Sequence, residues 1–302
     1  MIEGNPCGLD AAACCPATAP ATLGETLTRF EREAVAGICD TGRYRCTYFS
    51  WGQGPPLLLI HGIADDARSF VQLAARLTPH FRCIAYNLPT GSGDGARLGR
   101  YTHRDLVADL FALLDHLECR RSYVFGSSFG STIALEALRT QPERLPRAIL
   151  QGGFAQRRLS WAEYLLIRLL RHWPGPVGSL PLRKAALRRA NARAFADAPA
   201  EVWDYFFERS SVQPVAAVAH RAMLIYRLDL RPVLASIRQP VLLVAGDHDR
   251  VVDRSCDQVL AEGLPHVARV ELVNCGHNPL FSHPEVLAEV VRRFLTPPVP
   301  GG

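Results

Sequence analysis

The sequence predicts an α/β fold: a mostly parallel, doubly wound sheet interrupted by an all-helical insert. Three observations predict it. Short, continuously apolar runs alternate with amphipathic segments over most of the chain. The 302 residues, 48% hydrophobic and 21% charged, have the make-up of a globular protein with a sizeable core. Between residues 154 and 235 the alternation stops and only helical patterns remain. This composition excludes disorder for most of the chain, and no apolar run approaches the roughly 18 residues of a membrane span.

The elements follow in order. Residues 1–25 are rich in Ala, Pro, Cys, Gly and Thr and read as a tail without fixed structure. They carry neither the basic stretch nor the apolar stretch of an export signal. Arg43–Trp51 is aromatic-rich and loosely alternating, an early strand suited to a hairpin. Leu57–Ile60, Cys83–Tyr86, Tyr123–Gly126, Ala148–Gln151, Val241–Ala245 and Val267–Val273 are short apolar runs, the pattern of buried parallel strands. The intervening helices are Ala67–Leu77, His103–Leu117, Ser131–Thr140, Ser255–Glu262 and Pro284–Leu295. In the second of these, Leu106, Leu110, Leu113 and Leu117 recur at helical spacing, so one face is buried. Within the insert, Ser160 and Glu163 form a capping box before Tyr164–Leu170. Leu180–Phe195, Pro199–Glu208 and Val215–Leu228 are its other helices. The expected organisation is a core of residues 26–153 and 236–302 with an insert of 154–235.

Charge and cysteine content narrow the function. The formal net charge is +5. Residues 157–193 hold nine Arg or Lys against one acid, Glu163, so the whole positive excess sits in the insert. A solvated face, steering of anionic substrates and contact with an anionic membrane surface each account for such a segment. Nucleic acid is a poor fit, because no recognition fold and no aromatic interleaving accompany the charge. Nine cysteines at irregular spacing, with no C-x-x-C pair, indicate reduced thiols and a cytoplasmic protein. The adjacent pair Cys14 and Cys15 lies in the tail.

Four strand ends carry chemistry. Gly126-Ser127-Ser128-Phe129-Gly130 is a G-x-S-x-G turn between a strand and a helix, the setting of a nucleophile held on a strained turn. Side chains at 126 and 130 would crowd Ser128, and the helix N-terminus beyond favours negative charge. The strand Leu57–Ile60 ends in His61-Gly62-Ile63, where Gly62 lets the Ile63 amide face a cleft. The amides of Ile63 and Phe129 are therefore candidates for an oxyanion hole. His61 reads as a hydrogen-bonded structural histidine. The strand Val241–Ala245 ends in Gly246-Asp247-His248-Asp249. Asp249 is placed to orient a histidine, and Asp247 to hold the turn. His277, in Gly276-His277 after the last strand, is the candidate general base, with His283 a weaker rival.

In the order Ser128, Asp249, His277, the chain resembles the α/β-hydrolase fold superfamily, and among its members the serine hydrolases with a helical cap. The resemblance runs from about Tyr44 to Leu295 and rests on His61-Gly62-Ile63, Gly126 to Gly130, Gly246 to Asp249 and Gly276-His277. It implies Ser128 as nucleophile, Asp249 as acid, His277 as base and the Ile63 and Phe129 amides as oxyanion hole, and it implies no cofactor. Two stretches depart from the family pattern. Asn87 to Asp94 replaces an Asp-x-Pro-Gly-x-Gly-x-Ser stretch, which touches substrate contacts, and Ser131 stands where many relatives carry glycine. The insert, as a lid, would offer Trp161, Tyr164 and Leu165 as substrate contacts. The expected activity is hydrolysis of a small acyl substrate, a carboxylic ester or lactone. Hydrolysis of a carbon–carbon bond in a vinylogous diketone by the same triad is the alternative, and a binding protein or receptor with little turnover is another.

Overall fold

The computed structural model describes residues 21–196 and 198–296, so Cys14, Cys15 and most of the expected tail lie outside the described residues. Its centre is one sheet of eight strands in the order β1-β2-β4-β3-β5-β6-β7-β8. The strands are β1 Val35–Asp40, β2 Arg45–Trp51, β3 Pro56–Ile60, β4 Arg82–Tyr86, β5 Tyr123–Ser127, β6 Ala148–Gln151, β7 Val241–Gly246 and β8 Val267–Leu272. From β4 to β8 every pairing is parallel. β1 and β2 form an antiparallel hairpin that continues antiparallel onto β4. The hairpin is the one expected from Arg43–Trp51. Its first strand escaped the pattern because Val35 and Ile38 point into solvent, 67% and 50% exposed.

Burial on both faces explains the continuous apolar strands. Leu57 and Leu59 of β3 join one core layer while Leu58 and Ile60 join the other. The first layer is covered by α1 Leu23–Glu33, α2 Val71–Leu77 and, at the far end of the chain, α11 Pro284–Leu295; the second by α3 His103–His116 and α4 Phe129–Thr140. α1 starts inside the segment expected as tail, because Thr22 and Glu25 close a capping box. Its Leu23 and Phe30 are buried, with Phe30 edge-on to Trp51 at 5.5 Å. α9 Arg254–Gly263 links β7 to β8, and a short α10, Pro279–Ser282, precedes α11.

Among the described residues, four α-helices and no strand of the sheet lie between β6 and β7: α5 Trp161–Leu170, α6 Arg183–Asn191, α7 Ala200–Arg209 and α8 Val215–Arg227. α5 begins at the predicted capping box. α6 is shorter than Leu180–Phe195, because Leu182 adopts a left-handed conformation (φ 60°) that no helix can include. α7 anchors the insert to the core: Phe206 packs on Phe281 at 5.1 Å, and the Tyr205 hydroxyl donates to the Arg68 carbonyl at 2.7 Å. Among the described residues no helix is long and apolar enough to cross a membrane.

Phe125 tests this account of the core. It is fully buried, edge-on to Phe70 at 5.8 Å. Phe125→Ala is expected to cost about 3–5 kcal/mol, read from the urea midpoint; a loss below about 1 kcal/mol would mean that this layer can collapse around the void.

Candidate active site

The turn between β5 and α4 forces Ser128 into a conformation unusual for a residue with a side chain, φ 50° and ψ −114°. It is held there from several sides. The Ser128 amide donates to the Gln151 carbonyl at 2.8 Å, and the Ser128 carbonyl accepts from the Ser131 amide and hydroxyl at 2.9 and 2.6 Å. The flanking glycines have a different obstacle from the one expected. A Cβ on Gly130 would lie 2.2 Å from the Ile60 carbonyl oxygen, and one on Gly126 would lie 2.6 Å from the Gly130 carbonyl oxygen. They make room for backbone, not for the Ser128 side chain.

The end of β3 meets this turn. A Cβ on Gly62 would sit 3.6 Å from the Ser128 Cβ, so the His61-Gly62-Ile63 loop lies directly against the serine. His61 has the structural role read from the sequence. It is fully buried, its Nε2 accepts from the Leu88 amide at 3.1 Å, and its Nδ1 is 2.8 Å from the Gly62 carbonyl. That network assigns the proton to Nδ1. Burial, reinforced by the Arg221 charge, pushes its pKa down to about 3, so it is neutral.

The ends of β7 and β8 bring the other two predicted residues together. His277 Nδ1 lies 2.7 Å from Asp249 Oδ2, with both side chains nearly buried. The other Asp249 oxygen accepts from the Val251 and Val252 amides at 2.8 and 3.0 Å. Burial alone would raise the pKa of Asp249; the His277 hydrogen bond and these two amides outweigh it and hold the carboxyl below its ordinary range. Asp247 does more than shape its own turn. Its oxygens accept from the Asn274 and Cys275 amides at 3.0 and 2.9 Å, tying the Asp249 loop to the His277 loop. His283, the rival histidine, contacts the Ser282 hydroxyl instead.

Several residues of the site escaped the sequence reading. Gln151 braces it from β6: its Nε2 donates to the His277 carbonyl at 3.1 Å and its Oε1 accepts from Ser127 at 2.7 Å. Gly152 (φ 55°) is next, and a Cβ there would lie 2.8 Å from the His277 ring. Neither carries a motif signal, because each acts through its place at a strand end. Arg221 of α8 reaches the site from the insert. It is 2% exposed and forms no ion pair among the described residues. Its guanidinium donates to the carbonyls of Ile63 at 2.8 Å and of Leu88 and Pro89 at 3.2 Å, and to Gln213 Oε1 at 3.2 Å. The position looks like part of a helical stripe in sequence, and nothing there signals the burial. Asp65 is the last. Its Oδ2 would be 2.8 Å from a Cβ on Gly62, which places a carboxylate on the serine side of that loop.

The proposed substrate contacts fare differently. Trp161 and Leu165 are 76% and 42% exposed, and Tyr164 stacks on Tyr226 of α8 at 4.8 Å. α5 packs on α8, which leaves its outer apolar face in solvent, and no recorded contact brings these side chains to Ser128.

Fold and strand-end geometry together define a hydrolase-type α/β protein, and a family model for the alpha/beta hydrolase fold matches residues 55–284. The chain belongs to that family. It is 27% identical, over 81% of its length and 97% of the relative's, to a pimeloyl-[acyl-carrier protein] methyl ester esterase of Aeromonas salmonicida. Among solved structures it superposes on an enol-lactonase from Burkholderia xenovorans (TM-score 0.77, 22% identity, 86% of this chain and 99% of that one). It also superposes on a thermophilic esterase from Thermogutta terrifontis (TM-score 0.75, 21% identity, 86% and 98%). At those identities the superpositions establish the fold.

Asp65 generates a pH prediction. Burial, with Asp66 adding to it and with His277, Arg183 and Arg221 opposing, raises its pKa to about 6. The folded protein therefore keeps a proton that the unfolded chain releases from about pH 4 upward, so stability falls as pH rises through that window. In Asp65→Asn this loss disappears, and at pH 7 the variant is more stable than the parent by about 2 kcal/mol. Urea midpoints at pH 4.5 and 7 check it; parallel curves for the two proteins contradict it.

Proposed function

We propose that the chain is a serine hydrolase of carboxylic esters or lactones. Ser128 attacks the substrate carbonyl carbon. His277 takes the hydroxyl proton and later delivers it to the leaving alkoxide. Asp249 holds the imidazole through Nδ1, leaving Nε2 for the serine, and stabilises the cation formed. The amides of Ile63 and Phe129 receive the oxyanion, with the N-terminus of α4 adding its dipole. Water, activated by His277, then cleaves the acyl-enzyme.

The observation that carries this reading is the 2.7 Å His277–Asp249 hydrogen bond at the same sheet edge as the strained Ser128 turn. A strained serine alone would be a tight turn, and a buried His–Asp pair alone would be structural. Their convergence with the Gly62 loop supports a nucleophile, a base and an anion site in one place. The Ser128 hydroxyl makes no hydrogen bond to His277 in this structure, and contacts of this kind commonly tighten only when substrate binds. The methyl ester cleaved by the Aeromonas salmonicida relative, as its name states, supports the ester class. The insert, which grips the Ile63 loop through Arg221, is read as the cap.

Hydrolysis of p-nitrophenyl esters from acetate to dodecanoate tests the proposal. Ser128→Ala is expected to lower kcat by four or more orders of magnitude (about 10⁴-fold) while the fold persists. A folded wild type that neither turns over any ester nor reacts with a fluorophosphonate overturns it. Labelling without ester turnover moves the substrate to the carbon–carbon class, which a coloured ring-fission diketone then reads directly.

A further inference from the structure

We infer that the cavity between the insert and the loops after β7 and β8 binds the carboxylate or phosphate end of the substrate. The inference deepens the hydrolase reading and rests on it for the word substrate. The cavity has a volume of about 400 Å³ and is lined by Arg189, Arg193 and Ala194 from the insert and by His248, Arg250 and Gly276 from the loops. His248 precedes Asp249 and Gly276 precedes His277, so the cavity flanks the proposed acid and base in both loops. A Cβ on Gly276 would lie 3.1 Å from the Ala194 Cβ, which shows how closely the insert meets the loop here.

Positive charge converges at this place. α6 carries Arg183, Lys184, Arg188 and Arg189 without an acid. The first three have neighbours that use them: Arg183 donates to the Ser210 carbonyl, Lys184 lies 5.2 Å over Phe207, and Arg188 lies 6.0 Å over Trp203. The side chains of Arg189, Arg193 and Arg250 have no hydrogen bond, ion pair or ring contact among the described residues, and all three open on the one cavity. Other arginines of the protein are neutralised by acids, as in Arg209–Asp66, Arg254–Glu271 and Arg269–Asp257. Among the described residues, the carboxylates beside the cavity are already engaged: Asp247, 3.8 Å from His248, by the Asn274 and Cys275 amides, and Asp249 by His277 and the Val251 and Val252 amides. Converging like charges repel unless an anion joins them. Guanidinium forks match the paired oxygens of a carboxylate or phosphate, and the cavity admits such a group with part of its chain.

Two measurements test this, one of them independent of turnover. Inorganic phosphate is titrated calorimetrically into Ser128→Ala at low salt. Saturable binding is expected that weakens as salt is added and drops at least about tenfold when Arg189→Gln and Arg193→Gln are introduced. Separately, kcat/KM is measured for p-nitrophenyl half-esters of dicarboxylic acids and for neutral alkanoate esters of equal length. The double variant is expected to lose about tenfold on the half-esters and nothing on the neutral esters. Phosphate binding that disappears in the variants, with half-ester turnover unchanged, would show that a free anion occupies the cavity and would overturn the substrate assignment. Binding that is absent, or indifferent to both substitutions, overturns the site itself. A failure of ester hydrolysis leaves the phosphate titration readable, so the two readings fall separately.

Discussion

The site depends on how closely backbone approaches backbone where α4 leaves the sheet. With only 2.2 Å between a would-be Cβ on Gly130 and the Ile60 carbonyl oxygen, the first turn of α4 lies directly on the end of β3. That contact fixes both sides of the proposed reaction centre. It wraps the β5–α4 turn so tightly that Ser128 must take a positive φ, and it brings the Gly62 loop against the serine Cβ. A side chain at 130 would force the helix off the strand and separate the proposed nucleophile from the amide that serves it. Strain at Ser128, of order 1–3 kcal/mol, is offset by the packing of α4, most of whose residues are buried.

A second principle is the use of a buried charge held by neutral acceptors rather than by a direct ion pair. Arg221 is desolvated and makes no ion-pair contact among the described residues, so its burial depends on the four neutral acceptors that hold it, with the Asp65 carboxyl adding a longer-range attraction. Those acceptors sit on the loops after β3 and β4 and within the insert. Moving α8 away would strip the guanidinium of the Ile63, Leu88 and Pro89 carbonyls. The insert is thereby locked in register with the Ile63 peptide. Asp66 and Arg209 form a more ordinary tie nearby, a 2.9 Å ion pair between the same loop and α7.

Much of this was legible in the sequence because it is local. Continuous apolar runs, G-x-S-x-G, and strands ending in His-Gly, Gly-Asp and Gly-His each report a chain segment's own geometry, and the expected spans of β2 to β8 agree with the observed strands to within two residues. What stayed hidden is long-range. Gln151 and Gly152 matter through their distance to His277, over 100 residues away in the chain, which no spacing rule encodes. Arg221 is an arginine in a helical pattern, and only the fold shows that its side of α8 faces inward. The choice of Trp161, Tyr164 and Leu165 followed apolar character alone. α5 sits at the margin of the insert, where an apolar face has no core to join. Val35 and Ile38 of β1 hide an edge strand for the same reason: exposure breaks the link between apolar residues and burial on which pattern reading relies.

The insert grips both halves of the site, and this gives its position chemical weight. On one side Arg221 holds the Ile63 carbonyl; on the other, Asn191 accepts from Asn278 at 3.0 Å, one residue beyond His277. Asp247 joins the His277 loop to the Asp249 loop, so a displacement of the insert's edge near Asn191 would be felt by both members of the pair. An anion drawing Arg189 and Arg193 of the insert toward Arg250 of the core would act along this seam. It would tighten the contact of Ala194 with Gly276 and steady the loop that carries the base. Charge in the insert and geometry at the histidine are then parts of one mechanical arrangement. Binding energy from a group remote from the scissile bond can in this way serve orientation of the reacting centre.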